Sequence, residues 1–221
     1  MPPSAPRWSC VIFDMDGTLT RTNQLIFESF NHVARRYAGT TLTPAEIISL
    51  FGPPEEGGLA RVVGRHRVAS AMDDLCAYYR ANHRRLAQLH GGIDRVLAYL
   101  RSRGVLLALF TGKGRRTTAI TLDEFGLTRS FDLVVSGTDV ENHKPHPEGI
   151  ARILHGLRVS PSETLMVGDT LADVRAAHGA GVAMAAVLWD SFDRERVLGA
   201  RPEYVFHAVK ELESWFRHTL N

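Results

Sequence analysis

Five short apolar runs, at residues 9–13, 105–110, 133–136, 164–167 and 182–187, constrain the fold of this chain most tightly. They are nearly continuous in apolar residues rather than alternating. Strands of that kind are buried on both faces, as in a parallel sheet covered by helices on either side. Helical patterns starting at Arg115, Pro147 and Leu171 follow three of the runs, and alternating β and α segments predict an α/β fold. The 44% apolar content supplies a core for such a sheet.

Residues 21–90 break this rhythm. No strand-like run occurs there, while residues 25–37 and 69–89 carry helical periodicity. Residues 44–50 read as a short helix behind a Thr43 cap. Phe51-Gly52-Pro53-Pro54 and Gly57-Gly58 read as breaks, and Gly91-Gly92 returns the chain to the sheet. The organisation expected is a Rossmann-like parallel-sheet core of residues 1–20 and 91–221, with an all-helical cap of residues 21–90 inserted after the first strand. Such an insertion lies over the strand ends where α/β sheets bind ligands.

Several function classes are disfavoured. A net charge of +2 gives no argument for nucleic acid. No run approaches the ~18 apolar residues of a membrane span. Residues 1–6 are proline-rich with no apolar core of a secretory signal. Cys10 and Cys76 lack metal spacing and read as buried fillers. A soluble, cytoplasmic protein is expected. Of 26 basic residues only Lys113, Lys144 and Lys210 are lysine. A lysine kept in an arginine-rich chain suits a place needing a compact charge rather than a planar fork.

The chemistry gathers at the strand ends. The first run delivers Asp14 and Asp16 into Gly17-Thr18. Residues two apart on a strand point the same way, and two carboxylates so placed call for a cation or a shared proton. The second run ends in Thr111-Gly112-Lys113, the third leads to Asp139 and Lys144-Pro145, and the fourth to Gly168-Asp169 with Asp173 one turn on. In a parallel sheet these ends share one edge. Asp14, Asp16 and Asp169 are hard oxygen donors suited to Mg2+. Thr111 and the Gly112 amide suit phosphate oxygens, and Lys144 offsets anionic charge. Spacing excludes an EF-hand, since Leu19 and Leu25 stand where Gly and Glu are required. It also excludes a Walker loop, because Gly114 follows Lys113.

Taken together, Asp14-x-Asp16-Gly17-Thr18, Thr111, Lys144-Pro145 and Gly168-Asp169-x-x-x-Asp173 resemble, in order, the four motifs of the haloacid dehalogenase superfamily of phosphotransferases. The helical insertion resembles the cap subclass that includes phosphoglycolate phosphatases, β-phosphoglucomutases and bacterial pyrophosphatases. The resemblance implies an aspartyl-phosphate mechanism. Asp14 is the nucleophile and Asp16 the general acid and base. Mg2+ is held by Asp14, Asp169 and the Asp16 carbonyl, with Asp173 nearby. Thr111, Gly112 and Lys144 bind phosphate. It also implies that a halide- or phosphonate-cleaving role is disfavoured, since Asp16 is present and residues 21–90 contain no lysine.

Substrate contacts are expected from Asn23, His32 and Lys113. The substrate implied is a small phosphorylated metabolite, with phosphoglycolate as the leading type. Thr22-Asn23-Gln24-Leu25-Ile26, Phe51-Gly52-Pro53 and Asp139-Val140-Glu141 also resemble the pyrophosphatase branch. A phosphosugar mutase and a non-catalytic binding module are the remaining alternatives. The sequence gives no oligomeric state.

Overall fold

The computed structural model describes residues 8–220; the expectation for residues 1–6 lies outside them. The core is a six-stranded parallel sheet in the order β5-β4-β1-β6-β7-β8. Its strands are β1 (Cys10–Phe13), β4 (Leu106–Phe110), β5 (Leu133–Val135), β6 (Thr164–Gly168), β7 (Ala183–Val187) and β8 (Tyr204–Phe206). The first five match the apolar runs. β8 has no counterpart among them: a three-residue edge strand is too short for a periodic signal.

Side-chain alternation divides the core in two. Val11, Phe13, Leu107, Leu109, Leu165 and Val167 face one layer. There they meet α5 (Ile93–Ser102) and α10 (Val209–Thr219). Cys10, Ile12, Ala108, Phe110 and Met166 face the other. There they meet α7 (Glu148–Leu157), α8 (Leu171–Gly179) and α9 (Arg194–Gly199). All four residues of β1 are fully buried, so the continuous apolar run is the physical consequence of two covered faces.

The insertion holds α1 (Asn23–Ala38), α2 (Pro44–Ile48), α3 (Glu55–Val63) and α4 (Val68–Leu86) around its own apolar cluster. Thr43 caps α2, as its sequence predicts, and Glu46 returns the bond to complete a reciprocal box. Helix α3 corrects the expected break: Gly57 and Gly58 lie inside it, and Gly58 packs closely against Leu50 and Phe30. A second correction concerns the crossings. A two-residue strand β2 (Thr20–Arg21) pairs antiparallel with β3 (Gln88–Leu89) where the chain enters and leaves the insertion. Helix α6 (Arg115–Glu124) belongs to the core, yet its Ile120 joins the insertion's cluster. Both cysteines are free and buried, as expected.

Candidate active site

β1 sits between β4 and β6, so its C-terminal end lies where the crossovers diverge to either side. The Asp14 amide donates to Val167 O, which carries the chain straight off the sheet into the turn. Gly17 then takes φ +87°, and a Cβ there would collide with Asp169 Oδ2. Only glycine lets the turn close against that carboxylate. The Thr18 hydroxyl donates to Asp169 Oδ1 at 3.0 Å. The Ser191 hydroxyl donates to Asp169 O at 2.6 Å, and Trp189 Nε1 to Thr18 O at 3.1 Å.

Asp14, Asp169 and Asp173 are all buried, and each offers an oxygen within 4.8 Å of the others. Lys144 meets this cluster with its three ammonium protons. They go to Asp14 at 2.6 Å, Asp173 at 2.6 Å and Phe110 O at 2.9 Å. Burial pushes Asp14 up to about 7, against the pull of Lys144 and with further upward pressure from Asp173. Asp169 is raised by burial, then by Asp14 and Asp173. Burial alone would lower the Lys144 pKa; Asp14 and Asp173 reverse that and hold it protonated. Three buried carboxylates and one ammonium leave a surplus of negative charge on hard oxygen donors. That donor set fits a divalent cation such as Mg2+.

The side chain of Asp16 is held by a different lysine. Its Oδ1 accepts from the Thr22 hydroxyl, and its Oδ2 lies 3.3 Å from Lys113 Nζ. Lys113 is buried over the Tyr79 ring, at 4.8 Å from its centroid. Thr111 is buried beside it, and its Oγ1 accepts from the Lys113 amide.

These groups floor a cavity of about 270 Å³ roofed by the insertion. Asp14, Asp16, Thr111, Gly112, Lys113, Lys144 and Asp169 all line it, and so does Asn23. His32 does not. It stacks on Tyr78 at 4.5 Å. Nine residues beyond Asn23 on one helix amounts to half a turn about the axis, so the two face opposite sides. The cap's wall also carries Glu55 and is otherwise apolar, with Ile26, Phe30, Leu50 and Phe51, and Phe192 lines the rim from the core. Among the described residues, no arginine of the cap lines the cavity. Phe192, Ser191 and Glu55 escape a reading of the sequence. The first two follow a strand without a motif, and Glu55 reads as an ordinary acid opening a helix.

The family model described as haloacid dehalogenase-like hydrolase matches residues 11–187. Among curated proteins, the chain is 33% identical over 204 residues to pyrophosphatase PpaX of Anoxybacillus flavithermus, covering 92% of this chain and 94% of that one. A predicted phosphoglycolate phosphatase from Haemophilus somnus superposes with a TM-score of 0.80 at 20% identity, over 94% of this chain and 97% of its own. CbbY from Rhodobacter sphaeroides, solved in complex with phosphate, gives 0.80 at 22%, over 93% and 96%. At such identities the two structures speak for the fold alone.

Proposed function

The chain belongs to the haloacid dehalogenase-like hydrolases, and from that premise we propose that it is a Mg2+-dependent phosphohydrolase whose preferred substrate is inorganic pyrophosphate. The substrate rests on one observation, the 33% identity to a pyrophosphatase across 92% of the chain. Residues 21–90 act as a cap over a core of residues 1–20 and 91–221.

Each residue has a task that its position supports. An Asp14 oxygen attacks phosphorus, and the bond from phosphorus to the departing oxygen breaks. Asp16 gives its proton to that oxygen. It then takes one from water, which attacks the aspartyl phosphate and releases phosphate with Asp14 restored. Thr111 and Gly112 hold phosphoryl oxygens, and Lys144 offsets their charge. Asp14, Asp169 and the Asp16 carbonyl would hold Mg2+, with Asp173 beside them. When bound, the ion neutralises phosphoryl charge and favours ionised Asp14. Asn23 and Lys113 face the leaving group, and the seated cap excludes bulk water during the transfer to Asp14.

A second reading has its own support. The apolar wall of Ile26, Phe30, Leu50 and Phe51 suits the carbon portion of a phosphate monoester better than a second phosphate. The test is Mg2+-dependent phosphate release from pyrophosphate, 2-phosphoglycolate and several sugar phosphates, with Asp14→Asn as control. Pyrophosphate is expected to lead in kcat/KM. A monoester in the lead selects the second reading. Undiminished turnover by Asp14→Asn overturns the mechanism.

A further inference from the structure

Helix α6 starts without a cap of its own. Its N-cap residue is Gly114, and its first turn carries no acid. Arg115 and Arg116 stand there instead, at the positive pole of the helix dipole. One acceptor comes from the core, where Thr138 Oγ1 accepts from the Arg115 amide at 3.1 Å; the other arrives from the insertion. Glu55, the first residue of α3, accepts from the Gly114 amide at 2.6 Å through Oε2 and from the Thr117 hydroxyl at 2.5 Å through Oε1. Its side chain is only 10% exposed.

The same Oε1 lies 3.7 Å from Lys113 Nζ, which also meets Asp16 at 3.3 Å. The Tyr79 ring of α4 closes a third side. Lys113 is therefore a core lysine whose surroundings are largely built by the cap. Burial alone would lower its pKa; Asp16, Tyr79 and Glu55 together reverse that.

We infer that Glu55 is a positioning residue. Carried in by the cap, it completes the N-terminus of α6 and fixes the Lys113 ammonium between itself and Asp16. The leaving-group end of the cavity is thus assembled only when the cap is seated. This inference rests on the reading that phosphoryl transfer to Asp14 occurs in this cavity. Glu55 acts only by placing Lys113 and the turn at Gly114; it donates nothing to substrate.

The test is a double-mutant cycle between Glu55→Gln and Lys113→Met, with amide hydrogen exchange of Gly114 as a readout independent of chemistry. Kinetics are read on pyrophosphate, or on the phosphate turned over fastest in the assay above. Glu55→Gln is expected to lower kcat about tenfold or more, with KM moving less than about threefold. In the Lys113→Met background the same change is expected to cost less than about threefold, because the group it positions is gone. Gly114 exchange is expected to quicken at least about tenfold in Glu55→Ala. Equal losses in both backgrounds, an effect on KM alone, or no effect overturn the inference. Gly114→Ala is the second route should Glu55 variants fold poorly. Its Cβ would stand 2.7 Å from Glu55 Oε2 and displace the carboxylate without removing a charge; an unchanged kcat there also overturns the inference. If the wild type releases phosphate from nothing, the functional reading fails by itself, and unchanged Gly114 exchange would still overturn the positioning role of Glu55 separately.

Discussion

Lys144 directs all three of its ammonium protons to acceptors that diverge from one point. A guanidinium is a planar fork and cannot reproduce that geometry. Lys144→Arg should therefore lower kcat/KM about a hundredfold, measured by phosphate release, although formal charge is kept. Gly17→Ala is the second residue-level prediction. Its Cβ overlaps Asp169 Oδ2, and φ +87° is unfavourable for alanine. Stability should fall by about 1–3 kcal/mol in chemical denaturation, and Mg2+ dependence should shift to higher concentration. Much of this is legible at single residues. The scarcity of lysine points to two buried ammonium groups, Lys113 and Lys144, whereas Lys210 is an exposed helix residue. Asn23 and His32 show the limit. Both lie in one motif-like stretch, and only the helix's rotation decides which one reaches the cavity. Glu55 is illegible because its partners lie roughly sixty residues away, and no local pattern records that distance.

At the scale of elements, the legible parts are those with local causes. Thr43 and Glu46 make their box within one turn. Thr43→Ala should destabilise the protein by about 1 kcal/mol in thermal or chemical unfolding while leaving kcat within about twofold. The loop that carries Lys144 has a less obvious anchor. Glu148, at the start of α7, accepts from the amides of Asn142 and Glu141, and those bonds, with the Asn142 side chain and Arg152, pull its carboxyl down to about 2. Glu148→Ala frees the loop, and kcat should drop about tenfold as Lys144 loses its placement. A drop in stability with kcat unchanged would show that the loop is held by other contacts. Five strands announce themselves by continuous burial. β2, β3 and β8 do not, since two or three residues carry no period and owe their pairing to the elements beside them.

For the molecule as a whole, the buried carboxylates couple folding to pH and to metal. Without metal, Asp14 stands at about 7 in the fold against an ordinary 3.8. Between those values the folded chain holds a proton that the unfolded chain has released. This group's contribution is therefore full below pH 3.8 and is lost as pH rises through about 7. A divalent ion needs ionised carboxylates, so its stabilisation runs the opposite way. The gap in Tm between Mg2+ and EDTA should widen from about pH 5 to about pH 8; a constant gap would separate Asp14 from the metal. The cap and core also meet through exposed pairs, Arg80 with Asp123, Arg84 with Glu124 and Arg116 with Asp73. Such pairs contribute at most about 1 kcal/mol each, so the hold of the cap on the core rests on its buried contacts at Glu55, Tyr79 and Ile120. Its two crossings lie side by side, with Thr20 opposite Leu89. The insertion is thus a detachable module in the topological sense: a tight turn joining those residues would close the sheet with its strand order intact. To the cap's apolar cluster the core lends Ile120, with Phe125 packed alongside, and Tyr79 meets Thr121 across the seam, so excision would bare one face of α6 and Lys113. A lineage, or an engineer, can exchange the roof and with it the range of leaving groups, while the phosphoryl-transfer floor is inherited unchanged.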